Sequence, residues 1–258
     1  VTTASDPTPW LQALRASHDR LAAIVAGLDG AALRARSYDT DWTIADVLSH
    51  LGSGAEIMAL GVEAGVSGGE SPSPEAFQAI WDVWNARSPE DQAAQFLLAD
   101  EALVARIEAF SADERARFRV QMFGPQPFDL AGVLALRLSE HALHAWDVAV
   151  ALDPAARVAP DAVALLTETL PMMTGWLGRK ADEPRTVAVA VTSPDRSFTL
   201  DTGGVSLVPG PADTAAAASL TAPAEAFLRL VYGRLDDQAE VSATGVTVAD
   251  LQLAFPGF

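Results

Sequence analysis

The hydrophobic period of this chain changes once, and that switch limits what it can fold into. Up to about residue 177 apolar side chains recur every three or four positions, as amphipathic helices require; beyond Pro184 they alternate, as half-buried strands require. A helical pattern cannot settle as a strand, because its apolar side chains would fall on both faces of the sheet. The chain therefore reads as a two-domain α+β protein, a helix bundle followed by a small α+β unit. Its 258 residues also favour two modest cores, since single cores seldom grow beyond about 250 residues.

Leu11, Leu14, Leu21, Ile24, Val25 and Leu28 mark a first helix from about Thr8, with Gly30 as its stop. A second begins at Thr43, where Thr43 and Asp46 have the form of a capping box and Ile44, Val47, Leu48 and Leu51 supply the apolar stripe. It carries His50. Gly61 and the Gly/Ser/Pro-rich stretch 65–75 are expected to form a loop, followed by a helical region from Pro74 to Phe110 interrupted at Ser88-Pro89. A turn-rich segment, 123–129, precedes a helix from Leu130 to Leu152, stopped by Asp153-Pro154. These four amphipathic helices describe a bundle. Pro160 to Leu177 reads as a connector helix. Short strands are expected at 186–192, 197–202 and 205–210, then a lead-in AASLTAP and a helix from Ala224 to Tyr232. A strand near 239–243 and a short helix near 246–253 complete the second unit. The boundary is expected between Asp153 and Pro184, giving a bundle over 1–155 and an α+β domain with its connector over 156–258.

Charge narrows the partners. With 17 basic and 34 acidic side chains the net charge of -17 repels a phosphate backbone or an anionic membrane surface. The densest basic stretch, 115–119, has Asp113 and Glu114 beside it, so nucleic acid is not an expected partner. No apolar run approaches the ~20 residues that cross a bilayer, and VTTASDPTPW lacks the regions of a secretory signal. The expected location is the cytoplasm, with no membrane partner, as a monomer or homodimer. Lys180 is the only lysine and Asn85 the only asparagine, a bias that points to a high-GC bacterial genome. Absence of cysteine excludes disulfides, thiolate ligands and a cysteine nucleophile. Any thiol chemistry must use a thiol from outside.

Two of the four histidines fall in EHALHAWD, residues 140–147. Glu140 and His144 are one helical turn apart and project from one face, a spacing that can hold a metal. Asp147 continues along that face and is placed to orient a ligand histidine. His141 points roughly 100° away from Glu140, as a surface or packing residue, although His141 and His144 form a competing pair. His50 is the plausible third ligand, or else a core histidine bonded to a backbone carbonyl; Glu140 is a ligand, or else the partner of an arginine such as Arg137. Gly52-Ser53-Gly54 lacks the rest of a dinucleotide fingerprint, and no serine sits in a nucleophile-elbow context.

The segments DWTIADVLSHLGSGAEI (41–57) and SEHALHAWDVAVAL (139–152) resemble the two signature helices of DinB-like metalloproteins, and more specifically the mycothiol-dependent maleylpyruvate isomerase family. LTAPAEAFLRLVYGRLDD (220–237) and the closing AFPGF resemble that family's sterol-carrier-protein-like second domain. The resemblance spans nearly the whole chain. It implies a DinB-like four-helix bundle before a small α+β sandwich domain, with zinc bound by His50, Glu140 and His144 and mycothiol as thiol cosubstrate. The high-GC composition fits the actinobacteria that make mycothiol.

Two histidines and one carboxylate leave a position open on zinc, as in catalytic sites. The expected function is a metal- and mycothiol-dependent enzyme that adds a small thiol to a small-molecule electrophile, by cis-trans isomerisation or S-transfer. The other reading is a metal- or ligand-binding protein of the same fold. Trp42, just before the helix that bears His50, is expected as packing or as a contact for the bound cosubstrate. Arg234, in the YGR turn, is the candidate anchor for a substrate carboxylate, with Arg229 as fallback, solvated or paired with Glu225. The second unit is expected to wall the site, or else to serve stability or dimerisation.

Overall fold

The computed structural model describes residues 6–257 except 40, 70, 123–125, 211–215 and 238. It contains two compact units, Val1–Ala162 and Val163–Phe258. The first holds α1 (Thr8–Val25), α2 (Gly30–Leu33), α3 (Ile44–Ser67), α4 (Pro74–Asn85), α5 (Pro89–Glu108), α6 (Ala112–Arg117) and α7 (Leu130–Leu152). The long helices α1, α3, α5 and α7 form the bundle, α3 packing on α5 and α7, α1 on α7 and α5.

Each start is chemically marked. Thr43 and Asp46 make the reciprocal capping box that begins α3, and Ser73, Ser88 and Asp129 accept from the first-turn amides of α4, α5 and α7. The break at Ser88-Pro89 is real: α4 closes at Asn85 and α5 opens with Pro89 in its first turn. Two short helices, α2 and α6, were not expected, and each is started by a side-chain cap, from Asp29 and Ser111.

One expectation is corrected. Gly61 does not begin a loop; α3 continues through it to Ser67 and is stopped by Gly68 at φ 70°. Glycine within a helix costs about 1 kcal/mol relative to alanine, but Val62 is fully buried here and Gly65 receives the ring of Phe118. A Cβ on Gly65 would lie 2.5 Å from that ring. Gly52 serves Trp84 likewise, so the Gly52-Ser53-Gly54 stretch is a packing surface. Of the turn expected at 123–129, residues 123–125 lie outside those described; Val120 and Phe128 pair as an isolated bridge on either side.

Ile44, Val47, Leu48, Leu51, Trp84, Phe96 and Leu21 form a continuous core. Helix α7 is buried on most of its circumference, yet carries Arg137, Ser139, His141 and Asp147 inside. Buried polar groups destabilise the fold unless bonded, so α7 is where the bundle's polar chemistry is concentrated.

Helix α8 (Pro160–Leu177) leads into the second unit. There β1 (Thr186–Thr192), β2 (Arg196–Asp201), β3 (Ser206–Pro209), β4 (Ala218–Pro223) and β5 (Ser242–Thr244) form one sheet in the order β3-β2-β1-β4-β5. β1 and β4 are parallel; the other pairs are antiparallel. Val187, Val189 and Val191 alternate into the core, where α9 (Ala224–Val231) packs on β1 and β4. The short helix α10 (Val248–Ala254) closes the unit. Among the described residues no helix is long and apolar enough to cross a membrane.

Candidate metal centre

The capping box fixes where α3 starts and therefore which face carries His50, two turns in. On α7, begun by the Asp129 cap, the four-residue spacing of Glu140 and His144 puts both on one face. The structure brings the three together: one ligand atom from each of His50, Glu140 and His144 lies within 4.8 Å of the other two. His50 Nε2 is 3.1 Å and His144 Nε2 3.7 Å from Glu140 Oε2. Ligands about 2.0–2.1 Å from a tetrahedral zinc stand roughly 3.3 Å from one another, a value these two separations bracket.

Asp147 stands behind His144. Its Oδ2 accepts from His144 Nδ1 at 2.8 Å and its side chain is fully buried. With Nδ1 engaged by Asp147, Nε2 is the ring nitrogen that faces Glu140. Asp147 also accepts on its backbone carbonyl from the Tyr38 amide at 3.1 Å, and the Tyr38 ring lies 4.7 Å from Trp146, so the segment before α3 is tied to α7. That segment presents Trp42, partly buried, with its ring 5.1 Å from His50 and nearly parallel to His144 at 6.0 Å. Trp42 is thus a wall beside both imidazoles.

The side chains of His50 and Glu140 are 37% and 44% exposed, that of His144 only 12%. The cluster is reachable from one side and anchored on the other. Burial by itself would raise the Glu140 carboxyl, but the His50 hydrogen bond and the charges of His144, His50 and Arg137 outweigh it and bring the group to about 2. Glu140 is therefore an anion throughout the neutral range.

A second group, His18, Asp100 and His141, is wholly buried. Its geometry is that of hydrogen bonds. Asp100 Oδ2 takes His18 Nδ1 at 2.7 Å and His141 Nε2 at 3.0 Å, and Oδ1 takes Arg137 Nη2 at 2.6 Å. His141 Nδ1 meets Ser17 Oγ at 2.9 Å. The guanidinium already supplies the positive charge that an ion would bring.

Several sequence alternatives are resolved by this. His141 is neither a surface residue nor paired with His144; it belongs to the Asp100 network. Arg137 pairs with Asp100 and with the Leu51 carbonyl at 2.9 Å, not with Glu140. His50 faces Glu140 instead of a backbone carbonyl. Sequence reasoning missed Asp100 and His18. Their signal was a polar residue within an apolar stripe, between Phe96 and Leu103 for Asp100 and between Leu14 and Leu21 for His18.

Arg234 belongs to the second unit, in the turn after α9. It is partly buried there, with Nη1 donating to the Tyr232 carbonyl at 2.9 Å. Arg229 is fully buried, bonded to Glu225 at 2.8 Å and to Asp236 at 2.9 Å.

Comparison with known proteins supplies the relationship. No match was found among curated protein sequences. The solved structure of the mycothiol-dependent maleylpyruvate isomerase superimposes with a TM-score of 0.66 at 17% identity, covering 94% of this chain and 96% of that one. A histidine-to-alanine mutant of that isomerase gives 0.66 at 16% identity over the same shares. The family model of the mycothiol maleylpyruvate isomerase N-terminal domain matches residues 14–149, and that of the MDMPI C-terminal domain matches 157–249. The first alone takes in more than half of the residues, and the chain belongs to the mycothiol maleylpyruvate isomerase family.

Proposed function

We propose that the chain is a metal- and thiol-dependent enzyme of the maleylpyruvate isomerase type. Zinc, held by His50, Glu140 and His144, is the metal that suits the donor set, and mycothiol is the cosubstrate. The observation that carries the reading is the convergence of two imidazole nitrogens and one carboxylate oxygen within 4.8 Å, with a buried carboxylate orienting one of the imidazoles. Two nitrogens and one oxygen are the donor set of open, catalytic zinc sites. The bound ion would supply the Lewis acidity that favours the thiolate form of an incoming thiol near neutral pH.

The chain's own residues do the rest. Glu140 stays ionised and His144 is held in one tautomer by Asp147, so the donor set needs no reorganisation when thiol arrives. Trp42 offers an apolar wall beside the imidazoles, suited to the stem of the thiol or to a planar conjugated substrate. Since the chain has no cysteine, the sulfur nucleophile comes from the cosubstrate. Its addition to a cis double bond conjugated with a carbonyl forms a C–S bond and moves the π pair toward that carbonyl. Rotation about the resulting single bond and return of the pair break the C–S bond, giving the trans product and the thiol unchanged. In S-transfer the C–S bond is kept and the enolate carbon takes up a proton, balancing the one the thiol gave up. Arg234 is assigned the substrate carboxylate, because arginine's planar fork matches it and the acidic surface offers no general attraction.

The test combines elemental analysis with a thiol-dependence assay on a cis-configured unsaturated dicarboxylate. One metal per chain, and turnover that needs both metal and added thiol, are expected. Full turnover in thiol-free buffer would reject the reading; metal binding with no thiol-dependent turnover would leave a binding protein of the same fold.

A further inference from the structure

Asp100 is deep in the bundle, 0% exposed, and joins all four long helices. It sits on α5 and receives His18 from α1 and both Arg137 and His141 from α7. The Arg137 nitrogen that it holds, Nη2, also donates to the carbonyl of Leu51 on α3, the residue after His50. Arg137 also comes close to α3 at Gly54, where an added Cβ would lie 3.1 Å from Nη1.

The spacing on α7 gives this network its meaning. Arg137 and His141 are one turn apart, and so are Glu140 and His144; the two pairs form neighbouring stripes about 60° apart around the helix. Fixing the first stripe fixes the second. A rotation of α7 by roughly 20° would move side-chain tips ~5 Å from its axis by roughly 2 Å, as far as a whole metal–ligand bond. Sites of this kind need their groups held within about 0.5 Å. Apolar packing alone holds that angle weakly, because a stripe of leucines and alanines can slide. Directional bonds to one buried carboxylate do not slide.

We propose that Asp100 is a positioning residue for the metal centre: it sets the rotation of α7, and through Arg137 the register of α7 on α3, so that Glu140 and His144 meet His50. This rests on the metal reading given above. Asp100 touches neither metal ligand nor substrate, and its effect passes wholly through Arg137 and His141.

The experiment titrates cobalt(II) into the full chain, reading Kd by competition with a chelating dye and the ligand geometry from the visible d–d absorption. Asp100→Asn keeps the shape of the side chain but removes the charge, and one of its oxygens becomes a donor that faces other donors. It should raise the cobalt Kd by about tenfold or more and change the absorption band. Leu103→Ala, on the same helix and nearly fully buried, should lower the melting temperature while leaving Kd and spectrum as in the wild type. Equal effects of the two variants, or an unchanged Kd in Asp100→Asn, would overturn the proposal. If Asp100→Asn does not fold, Arg137→Met removes the link to Leu51 while Asp100 keeps both histidines; a weakened site supports the proposal and an unchanged one overturns it. Failure of the wild type to bind cobalt would instead count against the metal reading itself.

Discussion

Asp147 Oδ2 lies 2.8 Å from His144 Nδ1, with the carboxylate fully buried and the imidazole at the edge of solvent. A carboxylate in that place makes the other nitrogen of the ring a better donor and stops the ring from turning. Asp147→Ala should therefore weaken zinc binding by about 10–100-fold, and Asp147→Asn, which keeps an acceptor but no charge, by about tenfold. Competition with a fluorescent chelator measures both. Wild-type affinity in the two variants would show that the pair does not act on the site.

Two glycines of α3 test the packing from opposite sides. A Cβ on Gly52 would lie 2.1 Å from the Trp84 ring, whereas one on Gly61 meets nothing within 4 Å. Gly52→Ala should cost about 1–3 kcal/mol through overpacking, and Gly61→Ala should be stabilising by up to about 1 kcal/mol through helix propensity. Urea denaturation reports both; a tolerated Gly52→Ala would mean that Trp84 does not sit on α3.

How far these features were legible depends on whether they are written locally. The long helices were, because each has a period and a marked start: Thr43-x-x-Asp46 for α3, Ser88-Pro89 for α5. β4 was not, since Ala218, Leu220 and Ala222 alternate inward but only Leu220 is large enough to mark the strand. The continuation of α3 past Gly61 depended on Phe118, a residue far along the chain that alone gives Gly65 a reason to be small. The same holds at the site. Helical spacing put Glu140 and His144 on one face, but His50 is 90 residues away from Glu140, and only the packing of α3 on α7 delivers it. Asp100 is 82 residues from His18 and 41 from His141, so nothing in its neighbourhood announced three partners.

The same network predicts how stability depends on pH. His18 is raised above its ordinary 6.5 by the Asp100 hydrogen bond, against burial and with help from the Asp100 and Glu101 charges. A raised folded value means that its contribution is complete below the unfolded pKa near 6.5 and is lost as pH rises through the folded one. Asp100 is driven up by burial but held well below its ordinary 3.8 by the His141 and Arg137 charges and the histidine hydrogen bonds. Its contribution is present above the unfolded pKa near 3.8 and is lost as pH falls through the folded one. Both act together between about pH 4 and 6.5. The stability gap between wild type and His18→Gln in urea should be widest there and shrink toward pH 9; a gap that stays constant across that range would sink the assignment.

The two arginines around the α9 turn should fail in different ways. Arg229 is fully enclosed, with Glu225 and Asp236 on its guanidinium and the Arg234 carbonyl accepting from Nη1 at 3.0 Å. Removing one member of a buried ion pair leaves the others uncompensated and costs about 3–5 kcal/mol, so Arg229→Ala should unfold the second unit early, seen as a lower urea midpoint. Arg234 is only partly buried, and its Nη1 donates to the Tyr232 carbonyl. Arg234→Ala should leave the urea midpoint and metal content close to wild type while lowering kcat/KM for a dicarboxylate by roughly 2–5 kcal/mol of lost substrate interaction, with KM carrying most of the change. A substrate in which one carboxylate is an amide should then lose the difference between wild type and variant, because the fork no longer has its anion. Unaltered turnover in Arg234→Ala, or equal loss with the amide, would remove Arg234 from the substrate site and leave this turn with a purely structural role.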